Sequence, residues 1–281
     1  MIEESESSSD QRRADPDEHG RSESALLGDL IDLVVIVPTY NERENLPQLV
    51  ASVIALGDRV RLVIVDDNSP DGTGALADRL AEHHPGRIDV LHRTGKQGLG
   101  TAYVAGFHHV LAGPAGLIAT MDADLSHPVD RLPALVAAAA DGGDLVLGSR
   151  YVVGGTTVGW PLPRRVLSRF GGLYARTVLG LPLYDLTGGF KVYRREALAR
   201  LDLDHLRADG YGFQIETTWQ VIQNGGRVVE VPIIFHDRVA GASKLSRHIV
   251  LEAALLVWQL RLERLWTRVA GWFNRGKTPA R

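Results

Sequence analysis

The sequence predicts an α/β protein with a mostly parallel, doubly wound sheet over residues 32 to about 150. Short runs rich in Val, Ile and Leu alternate with longer helical patterns. Strands of about five apolar residues that are separated by longer helices indicate βαβ units, whose sheet is covered on both faces. Polar residues follow several of these strands directly. Ligands of such sheets bind outside the carboxyl ends of the strands, so these polar residues are the candidates for a site.

Each predicted element follows from its residue types. Strand and helix patterns alternate in the order DLVVIV, ENLPQLVASVIAL, RLVIV, GALADRLAEHH, RIDVLH, GLGTAYVAGFHHVLA, GLIATM, DRLPALVAAAA and DLVLG. Pro38 ends the first strand because it has no N–H for the hydrogen-bond ladder, and Asn41 can cap a helix that begins near Glu42. Asp71 or Thr73 can cap the second helix after an Asx-turn.

Length and composition predict one large domain with extensions. The chain has 281 residues, of which 44% are hydrophobic, which is enough for a sizeable core. The first 25 residues carry a net charge of −5 and almost no apolar side chains, so residues 1–26 are expected to be a disordered acidic tail. The remainder carries about +2, which does not indicate a nucleic-acid partner.

The expected location follows from what the sequence lacks. No apolar h-region follows a basic start, so no signal peptide is expected. The chain has no Cys, which suits the cytosol. No apolar run approaches the ~18–20 residues that a transmembrane helix needs. If the protein works at a membrane, it is therefore expected to be peripheral.

Acidic residues follow the second and fourth predicted strands. In VDDNSPDGTG, an Asx-turn explains Asp71 but not Asp67, whose carboxylate can accept from a nucleobase edge or from ribose hydroxyls. In MDADLSHP, one Asp can cap the next helix, although Ser126 is better placed for that role. Alternatively, Asp122 and Asp124 share a hard cation with a diphosphate, which is a site that Mg²⁺ or Mn²⁺ prefers.

Basic residues in the second half offer the opposite charge. The candidates for phosphate binding are Arg150, Arg164, Ser168, Arg238 and Lys244. Single basic residues are usually solvated, but Arg238 and Lys244 flank a Gly-Ala-Ser turn that can fold over a phosphate. The last stretch predicts an amphipathic helix with three Trp. That helix and the segment around residues 163–179 either lie in a membrane interface or pack on protein.

Seven motifs together resemble a known family. They are VPTYNERENL, VDDNSPDGTG, MDADLSHP, GSRYVVGG, LTGGFKVYRR, GYGFQIE and EVPIIFHDRVAGASKLS. In this order they are similar to the polyprenol-phosphate (dolichol-phosphate) mannose synthases of glycosyltransferase family two, from about Asp32 to Ser246. The resemblance implies a GT-A fold over residues 32–245. It also implies a nucleotide-binding half at 32–150 and an acceptor-binding half at 151–245. Some members have transmembrane hairpins after the catalytic domain, whereas this chain is expected to have an amphipathic helix and tail at 246–281.

The resemblance also implies the site residues. The donor GDP-mannose would be bound by Pro38, Tyr40, Glu42, Val65, Asp67, Asp122, Ala123, Asp124, Arg150, Tyr211, Arg238 and Lys244. Those with catalytic roles would be Asp124, Arg150, Arg238 and Lys244. The acceptor phosphate would be bound by Arg164 and Ser168. The metal would be bound by Asp122, Asp124 and Ser126, although archaeal members have Gln in place of Ser126.

The expected reaction is inverting transfer of mannose to a polyprenyl phosphate with Mg²⁺ or Mn²⁺. A phosphate acceptor has a second pKa near ~6 and is already anionic, so no general base is expected. The resemblance implies work at the cytoplasmic face of the plasma membrane, on the membrane surface or with a membrane-embedded partner such as an N-acyltransferase-like protein. Two alternatives stay open: glucose transfer from UDP-glucose to polyprenyl phosphate, and a receiver-like regulatory module.

Overall fold

The computed structural model describes residues 32–237 and 253–266. The strands are β1 Leu33–Thr39, β2 Val60–Asp66, β3 Ile88–His92, β4 Leu117–Thr120, β5 Leu145–Ser149, β6 Thr156–Val158, β7 Lys191–Arg194, β8 Val228–Pro232 and β9 Ile234–His236. The helices are α1 Leu46–Ile54, α2 Thr73–His83, α3 Leu99–Leu111, α4 Leu132–Ala140, α5 Leu162–Leu179, α6 Arg195–Leu198, α7 Gly210–Gln223 and α8, residues 253–266. The predicted acidic tail at 1–26 lies outside the described residues.

The strands form a seven-stranded central sheet in the order β3-β2-β1-β4-β7-β5-β8, with β6 and β9 paired separately. Strands β1, β2, β3 and β4 are parallel, as are β5 and β8. Strand β7 is antiparallel to both its neighbours, β4 and β5. The predicted α/β class with a mostly parallel sheet is therefore confirmed. Residues beyond 150 supply β7 and β8, so both halves of the chain build one sheet.

The antiparallel strand brings the second half of the chain to the site. Because β7 runs against β4 and β5, it begins at the edge where those two strands end. The loop before β7, residues 180–190, therefore lies at the carboxyl ends of the parallel strands. This is the edge at which ligands bind in open α/β sheets.

Alternate residues of the strands enter two separate cores. Val34 and Ile36 of β1 pack on one face, where Phe107 of α3 also lies. Val35 and Val37 pack on the opposite face, against α1 and α4. All four β1 residues are buried, which is why the strand reads as a continuous apolar run rather than an alternating one.

A buried lysine ties the central sheet to helix α7. Lys191 of β7 is fully buried, and its Nζ donates to the Gln214 carbonyl at 2.7 Å and to the Thr217 and Thr218 hydroxyls at 3.1 and 3.0 Å. Burial lowers the pKa of Lys191 well below its usual value. Three acceptors from one helix on one amine fix the position of the first turns of α7 relative to the sheet.

We expect Gly106→Ala to destabilise the fold. A Cβ at Gly106 of α3 would lie 2.5 Å from Ile36 Cγ2 in the core of β1, so the helix or the strand must shift. The free energy of unfolding, measured by urea denaturation, should fall by about 1–3 kcal/mol. Gly171→Ala in α5 is the matched control, since no atom lies within 4 Å of the added Cβ. That variant should be up to about 1 kcal/mol more stable than the wild type. Equal stabilities for both variants would contradict close packing of α3 on the sheet.

Candidate active site

A cavity of about 440 Å³ opens at the carboxyl ends of β1, β2 and β4. Of the residues predicted from the sequence, those that line this cavity are Pro38, Tyr40, Glu42, Asp67, Asp122, Ala123, Asp124 and Tyr211. They come from three strand ends and from α7, and the parallel arrangement of the strands brings them together.

One end of the cavity combines an aromatic ring with a buried carboxylate. Nζ of Lys96 lies 4.4 Å from the centre of the Tyr40 ring, in a cation–π contact. Asp67 is buried and accepts from Arg93 Nη1 at 2.6 Å. Burial raises the pKa of Asp67, although the Arg93 charge acts to lower it. A ring and a carboxylate arranged in this way can hold a base and accept hydrogen bonds from ribose hydroxyls.

The other two Asp residues of the VDDNSPDGTG motif build its loop. Asp66 Oδ1 accepts from the hydroxyls of Thr39 and Ser69 at 3.0 and 2.6 Å. Asp71 Oδ1 accepts from the backbone N–H and the hydroxyl of Thr73 at the start of α2. The prediction that Asp71 makes an Asx-turn while Asp67 does not is confirmed.

The carboxylates of Asp122 and Asp124 reach the cavity from a strained turn after β4. Asp122 Oδ1 accepts from the Tyr103 hydroxyl at 3.2 Å. Asp124 Oδ1 accepts from the Ser126 backbone N–H and hydroxyl at 3.1 and 2.5 Å. Leu125, between Asp124 and Ser126, has a φ of +61°, a left-handed conformation that costs a branched side chain about 1–2 kcal/mol. Such strain clusters at functional sites.

His127 fixes the backbone of this turn. Its Nδ1 accepts from the Asp122 backbone N–H at 3.0 Å, and its ring stacks on Phe190 with centroids 5.2 Å apart. Burial lowers the pKa of His127, in spite of the nearby Asp122 and Asp124. A neutral ring with an unprotonated Nδ1 is the form that this hydrogen bond requires.

The carboxylate pair suits a divalent cation that is shared with a ligand. Among residues 32–237 and 253–266, no three His, Asp or Glu side chains form a metal-binding group. Mg²⁺ commonly takes only one or two protein carboxylates and completes its shell with waters and phosphate oxygens. Asp122 and Asp124 fit that requirement. The Ser126 hydroxyl donates to Asp124 and is buried, so in this structure it orients the carboxylate.

Arg150 lies beside the cavity but not in its lining. It is buried, and its Nε and Nη2 donate to the two carboxylate oxygens of Asp185, each at 2.7 Å. Nη2 also donates to Thr187 Oγ1 at 2.9 Å. Burial alone would raise the pKa of Asp185, but the Arg150 charge, together with the hydrogen bonds from Arg150 and Thr187, outweighs burial and lowers that pKa. Glu230 completes the arrangement by accepting from the backbone N–H of Asp185 at 2.8 Å.

A second, mainly apolar cavity of about 270 Å³ lies between α5 and α8. Arg164 and Ser168, one helical turn apart on α5, both line it, and their role at an acceptor phosphate stays a prediction. Arg164 lies over the Trp160 ring at 4.0 Å and donates to Asp237 at 2.7 Å. Thr187 and Tyr211 line both cavities and therefore form their common wall.

The remaining predicted residues are elsewhere. Val65 is fully buried in the core of β2 and is not part of either lining. Arg238 and Lys244 lie outside the described residues. The lining residues that were not predicted include Lys96, Gly98, Thr187, Gly189, Asp209 and Gln214. Lys96 and Gly98 follow β3, so the same strand-end rule would have found them. Thr187, Gly189 and Gln214 belong to the motifs LTGGFKVYRR and GYGFQIE, which could have marked them as candidates. Their place in the lining, like that of Asp209, depends on the position of β7 and α7, which the strand-end rule does not predict.

The mostly parallel sheet with its flanking helices is that of the GT-A glycosyltransferase fold. The chain belongs to glycosyltransferase family 2, because the family model described as "Glycosyl transferase family 2" matches residues 34–202. Two curated relatives cover most of the chain. Polyprenol monophosphomannose synthase of Mycolicibacterium smegmatis is 49% identical over 230 residues, which are 81% of this chain and 87% of the relative. Undecaprenyl-phosphate mannosyltransferase of Micrococcus luteus is 44% identical over 234 residues, which are 83% and 96% of the two chains.

Solved structures match the fold at lower identity. Glucosyl-3-phosphoglycerate synthase of Mycobacterium tuberculosis, in complex with Mn²⁺, UDP and glucosyl-3-phosphoglycerate, is 20% identical with a TM-score of 0.62. The match covers 89% of this chain and 85% of that one. The same enzyme with Mg²⁺ and UDP is 19% identical, with a TM-score of 0.63 and coverage of 89% and 84%. These likenesses confirm the GT-A fold.

We expect Arg150→Met to lower the free energy of unfolding by about 3–5 kcal/mol at neutral pH, because the Asp185 carboxylate would remain buried without a countercharge. In the wild type, the pKa of Asp185 is lower than in the unfolded chain, so the stability that the pair contributes is present above the unfolded pKa and is lost as the pH falls through the folded pKa. In the variant, burial raises that pKa, so protonation of Asp185 relieves the cost. The difference in the free energy of unfolding between the wild type and Arg150→Met should therefore become smaller as the pH falls to about 4.

Urea denaturation over this pH range measures both effects. Arg59→Met is the control, because the Arg59–Asp32 pair is exposed and should contribute less than about 1 kcal/mol. If Arg150→Met were as stable as Arg59→Met, the buried pair would not support the fold.

Proposed function

We propose that the protein transfers mannose from GDP-mannose to a polyprenyl phosphate and produces polyprenyl-phosphate β-mannose, a lipid-linked mannose donor for glycan, glycolipid and protein mannosylation. The observation that carries this proposal is the common wall of the two cavities. A polar cavity with a carboxylate pair meets an apolar cavity with an Arg and a Ser, at Thr187 and Tyr211. A nucleotide sugar and a lipid phosphate need such neighbouring sites. The names of the two curated relatives support mannose as the transferred sugar and a polyprenyl phosphate as the acceptor.

The donor would occupy the larger cavity. Tyr40, Glu42 and Asp67 would hold the nucleoside through ring stacking and hydrogen bonds to carboxylates. Asp122 and Asp124 would hold Mg²⁺ or Mn²⁺, which supplies positive charge to the diphosphate as it leaves. Arg238 and Lys244 stay proposed phosphate ligands.

The acceptor phosphate would lie at the polar end of the apolar cavity, beside Arg164 and Ser168. An oxygen of this phosphate attacks the anomeric carbon, the bond from that carbon to the diphosphate breaks, and the configuration inverts. The attacking oxygen carries no proton at neutral pH, so no base has to remove one. The residues of this chain need only place the two anions in line and neutralise their charge.

The prenyl chain needs an apolar environment, which α5 and α8 can provide at a membrane surface. The Tyr174 hydroxyl of α5 donates to the Ala254 carbonyl of α8 at 2.9 Å, so the two helices lie side by side. The exposed apolar side chains on these helices are Leu162, Val166, Leu167, Phe170 and Leu173 on α5, and Leu255, Trp258, Leu262, Leu265 and Trp266 on α8. On each helix they recur at helical spacing and form a stripe, with Arg residues beside it, as in interfacial helices.

The described ranges contain no helix that is long and apolar enough to cross a membrane. We propose attachment to the membrane surface at the cytoplasmic face of the plasma membrane.

Radiolabelled transfer tests the reaction. With GDP-mannose, Mg²⁺ and polyprenyl phosphate, label should enter the organic phase, and a chelator should abolish this transfer. Asp124→Asn should reduce transfer by about 100-fold or more while keeping the acceptor for Ser126. Asp130→Asn is the control, since Asp130 is exposed and lines neither cavity. Transfer from UDP-glucose and not from GDP-mannose would refute the mannose assignment, and an α-linked product would refute inversion.

Sedimentation with pure lipid vesicles tests the membrane surface. Replacing both Trp258 and Trp266 by Ser should weaken binding by about ten-fold or more, because both side chains are exposed on the stripe. Val153→Ser is the control, since Val153 is 99% exposed but lies on neither helix. Binding to native membranes and not to pure lipid would instead favour a membrane-embedded partner protein.

A further inference from the structure

A buried side-chain amide oxygen at the edge of the larger cavity lacks a hydrogen-bond partner. Oε1 of Gln214 is one of two buried side-chain polar atoms without a partner among the described residues, and the other is Nε1 of Trp160. Gln214 is only 3% exposed, yet it belongs to the cavity lining. Leaving a buried acceptor without a donor is unfavourable, so native proteins rarely do so unless a ligand supplies the donor.

The amide lies between the carboxylate pair and the wall shared by the two cavities. A Cβ added to Gly189 would lie 3.3 Å from Nε2 of Gln214 and 3.7 Å from Oδ1 of Asp122, so the two groups face each other across this glycine. One helical turn earlier on α7, Tyr211 lines both cavities. Gln214 is therefore on the acceptor side of the carboxylates, away from Tyr40 and Asp67.

We propose that Gln214 accepts a hydrogen bond from a hydroxyl of the transferred sugar and is a specificity-determining residue. This inference rests on the function proposed above. With the nucleoside at one end and the diphosphate at Asp122 and Asp124, the group between the diphosphate and the acceptor phosphate is the sugar. A sugar ring carries hydroxyl donors, which are what an unpaired carbonyl oxygen lacks.

The surroundings hold the amide ready for this role. Lys191 Nζ donates to the backbone carbonyl of Gln214, which fixes this turn of α7 without using the side chain. Gly189 leaves open the space between Gln214 and Asp122, which any side chain at position 189 would partly fill. A site built with a buried hydrogen-bonding group rejects analogues that lack its partner, so Gln214 can distinguish between sugars.

Gln214→Met tests the proposal by separating sugar binding from nucleotide binding. Isothermal titration calorimetry with Mg²⁺ should give a dissociation constant for GDP-mannose that is weaker by about 5- to 10-fold, with that for GDP unchanged. Because Met keeps the volume and removes an unpaired buried polar atom, the melting temperature should be equal to or above that of the wild type. A merely structural role for Gln214 would lower the melting temperature instead.

Deoxy donors identify the hydroxyl. The test uses GDP-mannose analogues that each lack one sugar hydroxyl. An analogue that keeps the hydroxyl contacted by Gln214 should have different affinities for the wild type and for Gln214→Met. The analogue that lacks this hydroxyl should bind equally to the two proteins. Gln220→Met is the matched control on the same helix, because Gln220 Oε1 accepts from the Asp202 N–H and lines neither cavity. It should leave the affinities for GDP-mannose and GDP unchanged.

Equal affinities of wild type and Gln214→Met for GDP-mannose, or an equal loss for GDP and GDP-mannose, would overturn the inference. These outcomes are distinct from failure of the proposed function, which would appear as absence of mannose transfer by the wild type. In that case the same comparison, made with UDP-glucose and UDP, decides whether Gln214 contacts the sugar that is transferred.

Discussion

Arg150 and Asp185 form a buried ion pair where the first and second halves of the chain meet. Arg150 follows β5 at the carboxyl edge of the sheet, and Asp185 lies in the loop that leads into β7. Both carboxylate oxygens and a backbone N–H are used in this pair, so the loop has one position relative to the sheet. The same guanidinium reaches Thr187, which lies in the wall between the cavities. The geometry of the site therefore depends on this interaction.

Charge is distributed unevenly around the site. The larger cavity is mainly acidic, whereas the second cavity has the guanidinium of Arg164. The charged residues that line the larger cavity are Glu42, Asp67, Asp122, Asp124 and Asp209, with Lys96 as the cation. An enzyme that brings two anionic substrates together needs cations near both of them. The acidic pair serves this need only together with a bound cation, which is a physical reason to expect metal dependence. Asp67 differs from the pair because Arg93 already neutralises it.

Energetically unfavourable features, which are strained backbone and buried polar groups, are concentrated at the carboxyl edge of the sheet. The three non-glycine residues with positive φ among the described residues, Asn41, Asn68 and Leu125, all lie in loops that follow parallel strands. The unpaired amide oxygen of Gln214 on α7 and the buried amine of Lys191 on β7 lie near the same edge. Elsewhere, β1 and β2 are packed on both faces by apolar side chains. The apolar packing of the sheet lies away from its carboxyl edge, which leaves that edge available for strained and polar groups.

The sequence by itself determined the α/β class, because a sheet buried on both faces requires apolar runs that can be read locally. It also determined which polar residues follow β1, β2 and β4, so Tyr40, Asp67, Asp122 and Asp124 were predictable without coordinates. The roles of the residues from Arg150 onward could not be read from strand ends in this way. From the sequence, Arg150 is a candidate phosphate ligand. Only the tertiary structure shows that Asp185, 35 residues later in the chain, forms an ion pair with it.

The place of β7 between β4 and β5 is the second feature that only the tertiary structure decided. Strand order depends on contacts between distant segments. The residues KVYR of β7 do not by themselves indicate which strands they pair with or in which direction. That placement brings Gly189 and Gln214 to the cavity and makes Thr187 and Tyr211 a common wall. The sequence thus determined the chemical groups at the ends of the strands. The fold decided which groups from the second half would face them, because non-local packing sets those distances.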